Sequence, residues 1–397
     1  MTLSKKIEAL TPSITLSITA KANEMKKTGV NVISFAAGEP DFNTPKNIID
    51  SAISAMENGH TKYTPASGLL DLKKAVCKKF LDDNGLEYLP SQVIISNGAK
   101  QCLGNLFLAL LNPGDEVIVP TPYWVSYPEL IKIADGVPVY VQCEEENDFK
   151  YTIEKLKQSL TAKTKALLLN SPNNPTGTIY SKEELVEIAN FAKENDLYIV
   201  SDEIYEKLIY GGEKHFSIAA ASEDAFNRTI VINGLSKTYA MTGWRIGYAA
   251  GPENVIKLMS SIQSHMTSNP NTIAQYAAIE ALNSPVKLVE DMVCEFEKRR
   301  NYMVDKLNEV ENIKIINPNG AFYVMVNISY YLKKNFGETI IEDSKIFSEL
   351  LLEASAVATV PGIAFGLDDY IRLSYATSID NIEEGVKRLK SFINKLK

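Results

Sequence analysis

The stretch Asn233-Gly234-Leu235-Ser236-Lys237-Thr238-Tyr239-Ala240-Met241-Thr242-Gly243-Trp244-Arg245 decides how the chain is read. The apolar run Ile230-Val231-Ile232 leads into it, and Ile246-Gly247-Tyr248-Ala249-Ala250 leads out. Short apolar runs of this kind read as buried strands, which puts Lys237 just past a strand's carboxyl end. In open α/β sheets, ligands collect at that end. An amine shielded from water there loses part of its preference for the charged form and becomes a nucleophile. Arg245 follows with a planar fork of donors matched to phosphate, and Ser236 adds a hydroxyl. A lysine nucleophile beside a phosphate cradle suits a phosphorylated aldehyde, for which pyridoxal phosphate is the natural candidate. Taken alone, the same stretch reads equally well as a solvated lysine in a Gly/Ser loop.

The chain around it has 397 residues and a formal charge of −8. That length holds one large domain with a smaller one attached, or about two to three ordinary ones. With 45% hydrophobic and 23% charged residues, the composition is that of an ordinary soluble globular protein. The acidic balance argues against general binding to nucleic acid or anionic membrane, since polyanions attract basic surfaces. No apolar run approaches the ~18 residues of a membrane span. Cys77, Cys102, Cys143 and Cys294 are scattered without zinc or CxxC spacing, and residues 1–13 lack the apolar core of a secretory signal. Reduced thiols in a cytoplasmic protein are therefore expected. His60, His215 and His265 lie too far apart in sequence to suggest a metal site.

Outward from the lysine stretch, short apolar runs alternate with amphipathic segments, the pattern of an α/β protein with a largely parallel sheet. On the N-terminal side, a helix near Lys21 to Lys27 leads to the loop Gly38-Glu39-Pro40-Asp41-Phe42, where Gly38 permits close backbone approach to a ligand. Thr44 and Pro45 read as the cap and first residue of a helix ending at Gly59. Strand 92–95 runs through Ser96-Asn97-Gly98-Ala99-Lys100 into an apolar helix, and such a turn is a ready anion site because unpaired N–H groups point outward from it. Trp124 offers a ring for stacking, although a core position is the commoner fate of a tryptophan. Strand 165–169 ends in Asn170-Ser171-Pro172-Asn173-Asn174-Pro175-Thr176-Gly177, and strand 197–200 in Ser201-Asp202-Glu203-Ile204-Tyr205. Asp202 can hold a protonated pyridine nitrogen and Tyr205 can donate to a phenolic oxygen. Singly, they read as a helix cap and a half-buried tyrosine. Ser181 and Glu184 form a capping box.

On the C-terminal side a long periodic run, 286–310, places Val286, Val289, Val293 and Phe296 on one helical face. The pattern then changes to a second, smaller α/β layer with a strand at 357–360 and another at 370–375. Arg372 lies among apolar strand neighbours there. Buried, it needs a partner such as a carboxylate; on a sheet edge, it needs none.

Six motifs together carry a resemblance that covers nearly the whole chain. They are Gly38-Glu39-Pro40-Asp41-Phe42, Lys62-Tyr63-Thr64-Pro65, Tyr123-Trp124-Val125-Ser126-Tyr127-Pro128, Ser171 to Gly177, Ser236-Lys237 through Gly243-Trp244-Arg245, and Arg372-Leu373-Ser374-Tyr375-Ala376. In this order they resemble the fold type I pyridoxal-phosphate aminotransferases of class I, most closely the bacterial subgroup of aspartate aminotransferases. The resemblance implies a large domain at 43–295 with a mostly parallel seven-stranded sheet. It also implies a smaller α/β domain built from an N-terminal arm, 1–42, and the segment 296–397. It assigns Lys237 to the Schiff base and to proton transfer at the substrate Cα, and Asp202 to the pyridinium nitrogen. Tyr205 and Asn174 fall to the ring hydroxyl, and Trp124 to stacking. Arg245, Ser236 and the backbone of Ala99 and Lys100 fall to the phosphate, joined by Tyr63 from a partner subunit, so a homodimer with shared sites is implied. Arg372, with Asn174 and the Gly38 backbone, falls to the substrate α-carboxylate.

For the substrate's side-chain carboxylate, the subgroup pattern points to Lys100 and to Thr15 in Pro12-Ser13-Ile14-Thr15, with Asn-Gly-Ala standing where glycines usually precede the lysine. L-Aspartate and L-glutamate with their 2-oxo acids are the substrates implied, by way of two half-reactions. Aromatic amino acids or prephenate, or a β-carbon–sulfur lyase reaction on the same cofactor, are the alternatives, since lysine reads a carboxylate less exactingly than a bidentate arginine. A transcription regulator would need an N-terminal DNA-binding module, and the aminotransferase pattern begins within the first fifteen residues. A NAD-binding fingerprint is missing from the strand–helix turns.

Overall fold

Apolar runs alternating with amphipathic helices build two sheets in the computed structural model, which describes residues 4–8, 10 and 14–397. The segment Thr11-Pro12-Ser13 lies outside the described residues. Strands β1 (Val93–Ser96), β2 (Glu116–Thr121), β3 (Val137–Gln142), β4 (Thr164–Asn170), β5 (Tyr198–Asp202), β6 (Thr229–Gly234) and β7 (Gly247–Ala250) form a seven-stranded sheet in the order β1-β7-β6-β5-β4-β2-β3. Strand β7 is antiparallel to β1 and β6, and the other pairs are parallel. The carboxyl ends of β1, β2, β4, β5 and β6 therefore share one edge.

Helices cover both faces, which is why the strands read as continuous apolar runs. Ile230 and Ile232 pack on one face with Leu103, Leu106 and Phe107 of helix α1 (Ala99–Leu110), while Val231 packs on the other with Val76, Phe80 and Ala277. Each such side chain, fully buried, contributes about 1.5–3 kcal/mol relative to exposure.

The second sheet is antiparallel. Strands β8 (Lys314–Ile315), β9 (Tyr323–Asn327), β10 (Val360–Pro361) and β11 (Tyr370–Ser374) take the order β10-β11-β9-β8. The single strand expected at 357–360 is broken at Thr359. Val357–Ala358 instead pairs in parallel with Ile33–Ser34, which joins the N-terminal segment to the C-terminal layer. The fold is thus the α/β architecture expected, a mostly parallel seven-stranded sheet with a smaller α/β layer.

Two further local expectations fail. Thr44 does not cap its helix, which runs Lys46–Glu57 with Pro45 before it and no side-chain cap. The Thr44 hydroxyl donates to Ala240 O at 2.8 Å and accepts from Trp244 Nε1 at 2.9 Å, so it serves the lysine loop. The long helix α2 (Lys287–Asn308) buries Val289, Met292, Phe296, Met303 and Leu307, but Val286 precedes the first turn and is 68% exposed. Among the described residues, no helix is long and apolar enough to cross a membrane.

Candidate active site

The shared edge of the large sheet opens into a cavity of about 420 Å³. It is lined by every residue expected at the site except Tyr63: Thr15, Gly38, Ala99, Lys100, Trp124, Asn174, Asp202, Tyr205, Ser236, Lys237, Arg245 and Arg372. Tyr63 is 89% exposed and lies outside it. The topology accounts for the convergence. Asp202 ends β5, Asn174 follows β4, Ser236 and Lys237 follow β6, and Ala99 opens α1 after β1.

Lys237 Nζ donates to the carbonyl of Gly38 at 2.5 Å. Burial brings its amine down to about 8; Arg372 and Arg245 act in the same direction, while Glu39 and Asp202 oppose them. A lysine of this kind supplies a neutral amine near physiological pH. Its loop holds Ala240 and Arg245 at φ of 51° and 58°, a left-handed backbone costing about 1 kcal/mol or more per non-glycine residue. Thr44 offsets that strain by holding Ala240 and Trp244 together.

Asp202 is buried, and burial raises its carboxyl to about 6. Tyr127 donates to its Oδ2 at 2.7 Å and the Ile204 amide to Oδ1 at 3.2 Å, and both bonds favour the ionised form. A buried carboxylate held this way gains most from a cationic N–H partner. Trp124 is half-buried, edge-on to Tyr127 at 5.2 Å, and Lys100 Nζ sits 4.9 Å from the Trp124 ring. Burial, then Arg245, lowers the Lys100 amine from its ordinary value.

The anion cradle depends on two glycines. Gly98 has φ 85°, and a Cβ there would come within 2.5 Å of the Arg245 guanidinium. At Gly247 a Cβ would lie 2.2 Å from the Ala99 amide nitrogen. The absence of both side chains lets Arg245 and the N-terminus of α1 converge with the buried Ser236. This is the arrangement that receives a phosphate.

Arg372 lies in β11, interior to the small sheet rather than on its edge, and is 3% exposed. Its Nη1 donates to Asn174 Oδ1 at 2.9 Å and its Nη2 to Ala36 O at 3.3 Å, while its buried Nε has no partner. A buried guanidinium that lines a cavity and is bonded to neutral amide oxygens is a position for a ligand carboxylate. The lysine, the carboxylate, the anion cradle and this arginine fit a phosphorylated, nitrogen-containing aromatic aldehyde together with a carboxylate-bearing substrate.

Several lining residues escaped the sequence reading. Tyr127 stands in one of the six motifs, which assign it no role. Tyr323 sits in a run that reads as plain core. Glu39, whose Oε2 accepts from Thr242 Oγ1 at 2.6 Å, reads as a loop charge. The three histidines also gave no sign that His215 Nε2 would lie 2.9 Å from Glu203 Oε2, in a buried cluster with Glu206 and Lys79 behind the site.

Fold and site together define an aminotransferase. The chain belongs to the aminotransferase class I and II family, whose model matches residues 30–389. It is 52% identical over 395 residues to the aspartate aminotransferase of Bacillus subtilis (strain 168), covering 100% of both chains. Among solved structures it matches the aspartate aminotransferase of Rhizobium meliloti, with a TM-score of 0.96, 39% identity and 100% of both chains covered. It also matches the Thermus thermophilus aspartate aminotransferase with maleate, with a TM-score of 0.93 and 43% identity, covering 99% of this chain and 100% of that one.

Proposed function

We propose that the protein uses pyridoxal 5′-phosphate to transfer the amino group of L-aspartate to 2-oxoglutarate, giving oxaloacetate and L-glutamate in two half-reactions. The observation that carries this is that Lys237 and Arg372 line one cavity, an amine lowered by burial together with a buried guanidinium bonded to neutral oxygens. Bound there, the cofactor would supply a carbonyl conjugated to an electron-withdrawing ring, the chemistry an amino-group exchange needs.

The rest is done by the chain. Lys237 would be the amine that holds the cofactor and would move the proton at the substrate Cα. Asp202, held by Tyr127, keeps the ring nitrogen protonated. Tyr205 and Asn174 hydrogen-bond the ring oxygen, and Trp124 covers the ring. Arg245, Ser236 and the amides of Ala99 and Lys100 bind the phosphate. Arg372, with Asn174 and the Gly38 backbone, orients the α-carboxylate, and Lys100 with Thr15 receives the side-chain carboxylate. Full-length relatives named aspartate aminotransferase, at 52% and 53% identity, support the dicarboxylate preference.

The same reading makes the protein a cytoplasmic homodimer with shared sites. The exposed Tyr63 of each subunit reaches the phosphate of the other, and a fully active monomer in sedimentation would overturn this. It divides the chain into an N-terminal arm at 1–42 that belongs to the small domain, a large cofactor domain at 43–295 and the small C-terminal domain at 296–397. The deciding experiment is the visible spectrum of the purified protein with L-aspartate and no oxo acid. The expected result is an imine-type band that converts to the amine form and returns with 2-oxoglutarate. A band that ignores aspartate but answers an aromatic amino acid would overturn the roles of Lys100 and Thr15. No band after adding pyridoxal phosphate would overturn the whole reading.

A further inference from the structure

One aromatic residue joins the two halves of the site. Tyr323 is the first residue of β9 and is 1% exposed. Its register partner is Ser374, and Arg372 is registered with the next residue but one, Met325. Arg372 is therefore the diagonal cross-strand neighbour of Tyr323, on the same sheet face, which is within reach of a long side chain and a ring. The guanidinium carbon lies 4.2 Å from the centre of the Tyr323 ring, with Phe365 at 5.0 Å. Cation–π contact of this kind strengthens as water is excluded.

At its other end, the Tyr323 hydroxyl lies 2.9 Å from the hydroxyl of Tyr205, which comes from the loop after β5 of the large sheet. It also closes on Gly38, where a Cβ would lie 3.7 Å from it. The carbonyl of Gly38 is the acceptor for Lys237.

A tyrosine hydroxyl has one proton to give and lone pairs to receive. If Tyr205 spends its proton on a ligand oxygen in the cavity, the bond between the two tyrosines has only one polarity left. Tyr323 must donate to Tyr205. The result is a directed chain from Tyr323 through Tyr205 to the ligand, in which each bond polarises the next.

We propose that Tyr323 is a positioning residue for transamination: its hydroxyl sets the direction and strength of the Tyr205 donor, and its ring sets the plane of the Arg372 guanidinium. The proposal rests on the roles given above to Tyr205 and Arg372. It adds that a single side chain from the small sheet couples the cofactor contact to the carboxylate contact. The two contributions are separable, because phenylalanine keeps the ring and removes the hydroxyl, while leucine removes both.

The test uses the holoenzyme with pyridoxal 5′-phosphate bound and follows the pH midpoint of its visible band. Tyr323→Phe should move that midpoint upward by about half a unit to one unit, the equivalent of one hydrogen bond to the ring oxygen. It should leave the affinity for maleate within about twofold, since the ring that backs Arg372 remains. Tyr323→Leu should show the same midpoint shift and bind maleate about threefold to tenfold more weakly. In a Tyr205→Phe background, Tyr323→Phe should add nothing to the midpoint, because the chain is already cut.

An unmoved midpoint in Tyr323→Phe, where Tyr205→Phe does move it, overturns the proposal alone. An unmoved midpoint in Tyr205→Phe overturns the role of Tyr205 and this proposal with it. Equal shifts from Tyr323→Phe with and without Tyr205 show a general structural effect and also overturn it.

Discussion

The segment from Asp202 to Glu206 faces two ways, and the two sides are built on opposite principles. Asp202 and Tyr205 turn into the cavity. Glu203 and Glu206 turn away from it, into a buried cluster. Behind the segment every charge is answered. Glu203 accepts from Ser201 Oγ at 2.8 Å, Ser217 Oγ at 2.7 Å and His215 at 2.9 Å, and Glu206 pairs with Lys79 and accepts from Asn84 at 3.2 Å. On the cavity side, charge is left over: the Arg372 guanidinium is bonded to neutral oxygens, and burial holds the Lys237 amine down. Buried charge is present on both sides, so burial alone does not mark a reactive site. A partly satisfied set of groups marks it, because only such a set gains from a ligand.

Four measurements break or sharpen that contrast. The largest effect is expected at Lys237. Lys237→Ala should cut turnover by about 10⁴-fold or more. Thermal melting of the apoprotein should show no loss of stability, since a buried amine is removed. Loss of fold here would erase the distinction between the two sides.

Glu206→Ala should do the reverse. Burial opposes the charge on Glu206, but Lys79 and His215 outweigh it and hold its carboxyl at about 2. Removing it leaves the buried Lys79 with only Asp83 at 3.7 Å and the Asn84 oxygen at 2.8 Å to answer its charge, at a cost of about 3 kcal/mol in denaturant unfolding. Turnover per folded molecule should stay within a few-fold.

His215→Gln should show a smaller, pH-dependent loss. Burial pulls the imidazole down, but Glu203, then Glu206, raise it above its ordinary value against the opposition of Lys79. A raised value means that the stabilisation is complete below the unfolded value, near 6.5, and is lost as pH rises through the folded one. The stability gap between wild type and variant should be about 2 kcal/mol in mild acid and close on the alkaline side. A gap that widens with pH would show that His215 works uncharged.

The smallest effect is expected at Lys100. Lys100→Ser should lower kcat/KM for L-aspartate about fivefold, an effect that shrinks with salt, and leave an aromatic substrate unchanged. Equal loss for both substrates would place Lys100 on the phosphate instead.

The large sheet and most of the cavity were legible because strand ends punctuate the chain. Asp202 and Lys237 each follow a short apolar run, and Gly98 stands where a helix begins. What was hidden depends on contacts between distant segments. Tyr323 looks like any aromatic in a core strand until Tyr205 is brought opposite it. Thr44 has the residue type and spacing of a cap, and the loop around Ala240 competes for its hydroxyl and wins. Val286 fits the helical period but sits one residue before the helix, where the period no longer governs which way a side chain faces. The Glu203, Glu206, Lys79 and His215 cluster assembles positions from 79 to 215, and no local pattern announces it.

The parallel pairing of Ile33–Ser34 with Val357–Ala358 also has a consequence for how the chain is made. On the ribosome the first of these strands emerges about 320 residues ahead of its partner, which at roughly 5–20 residues per second is a wait of about 16–65 s. The seven-stranded sheet, complete by Ala250, can assemble within that interval. The early strand has to remain unpaired until the end of synthesis. A nascent chain arrested before Val357 would therefore carry Lys237 and Asp202 on a finished sheet but lack Arg372, and would expose an unmatched β-edge. Quality control would meet it as an aggregation-prone fragment, not as a slow enzyme.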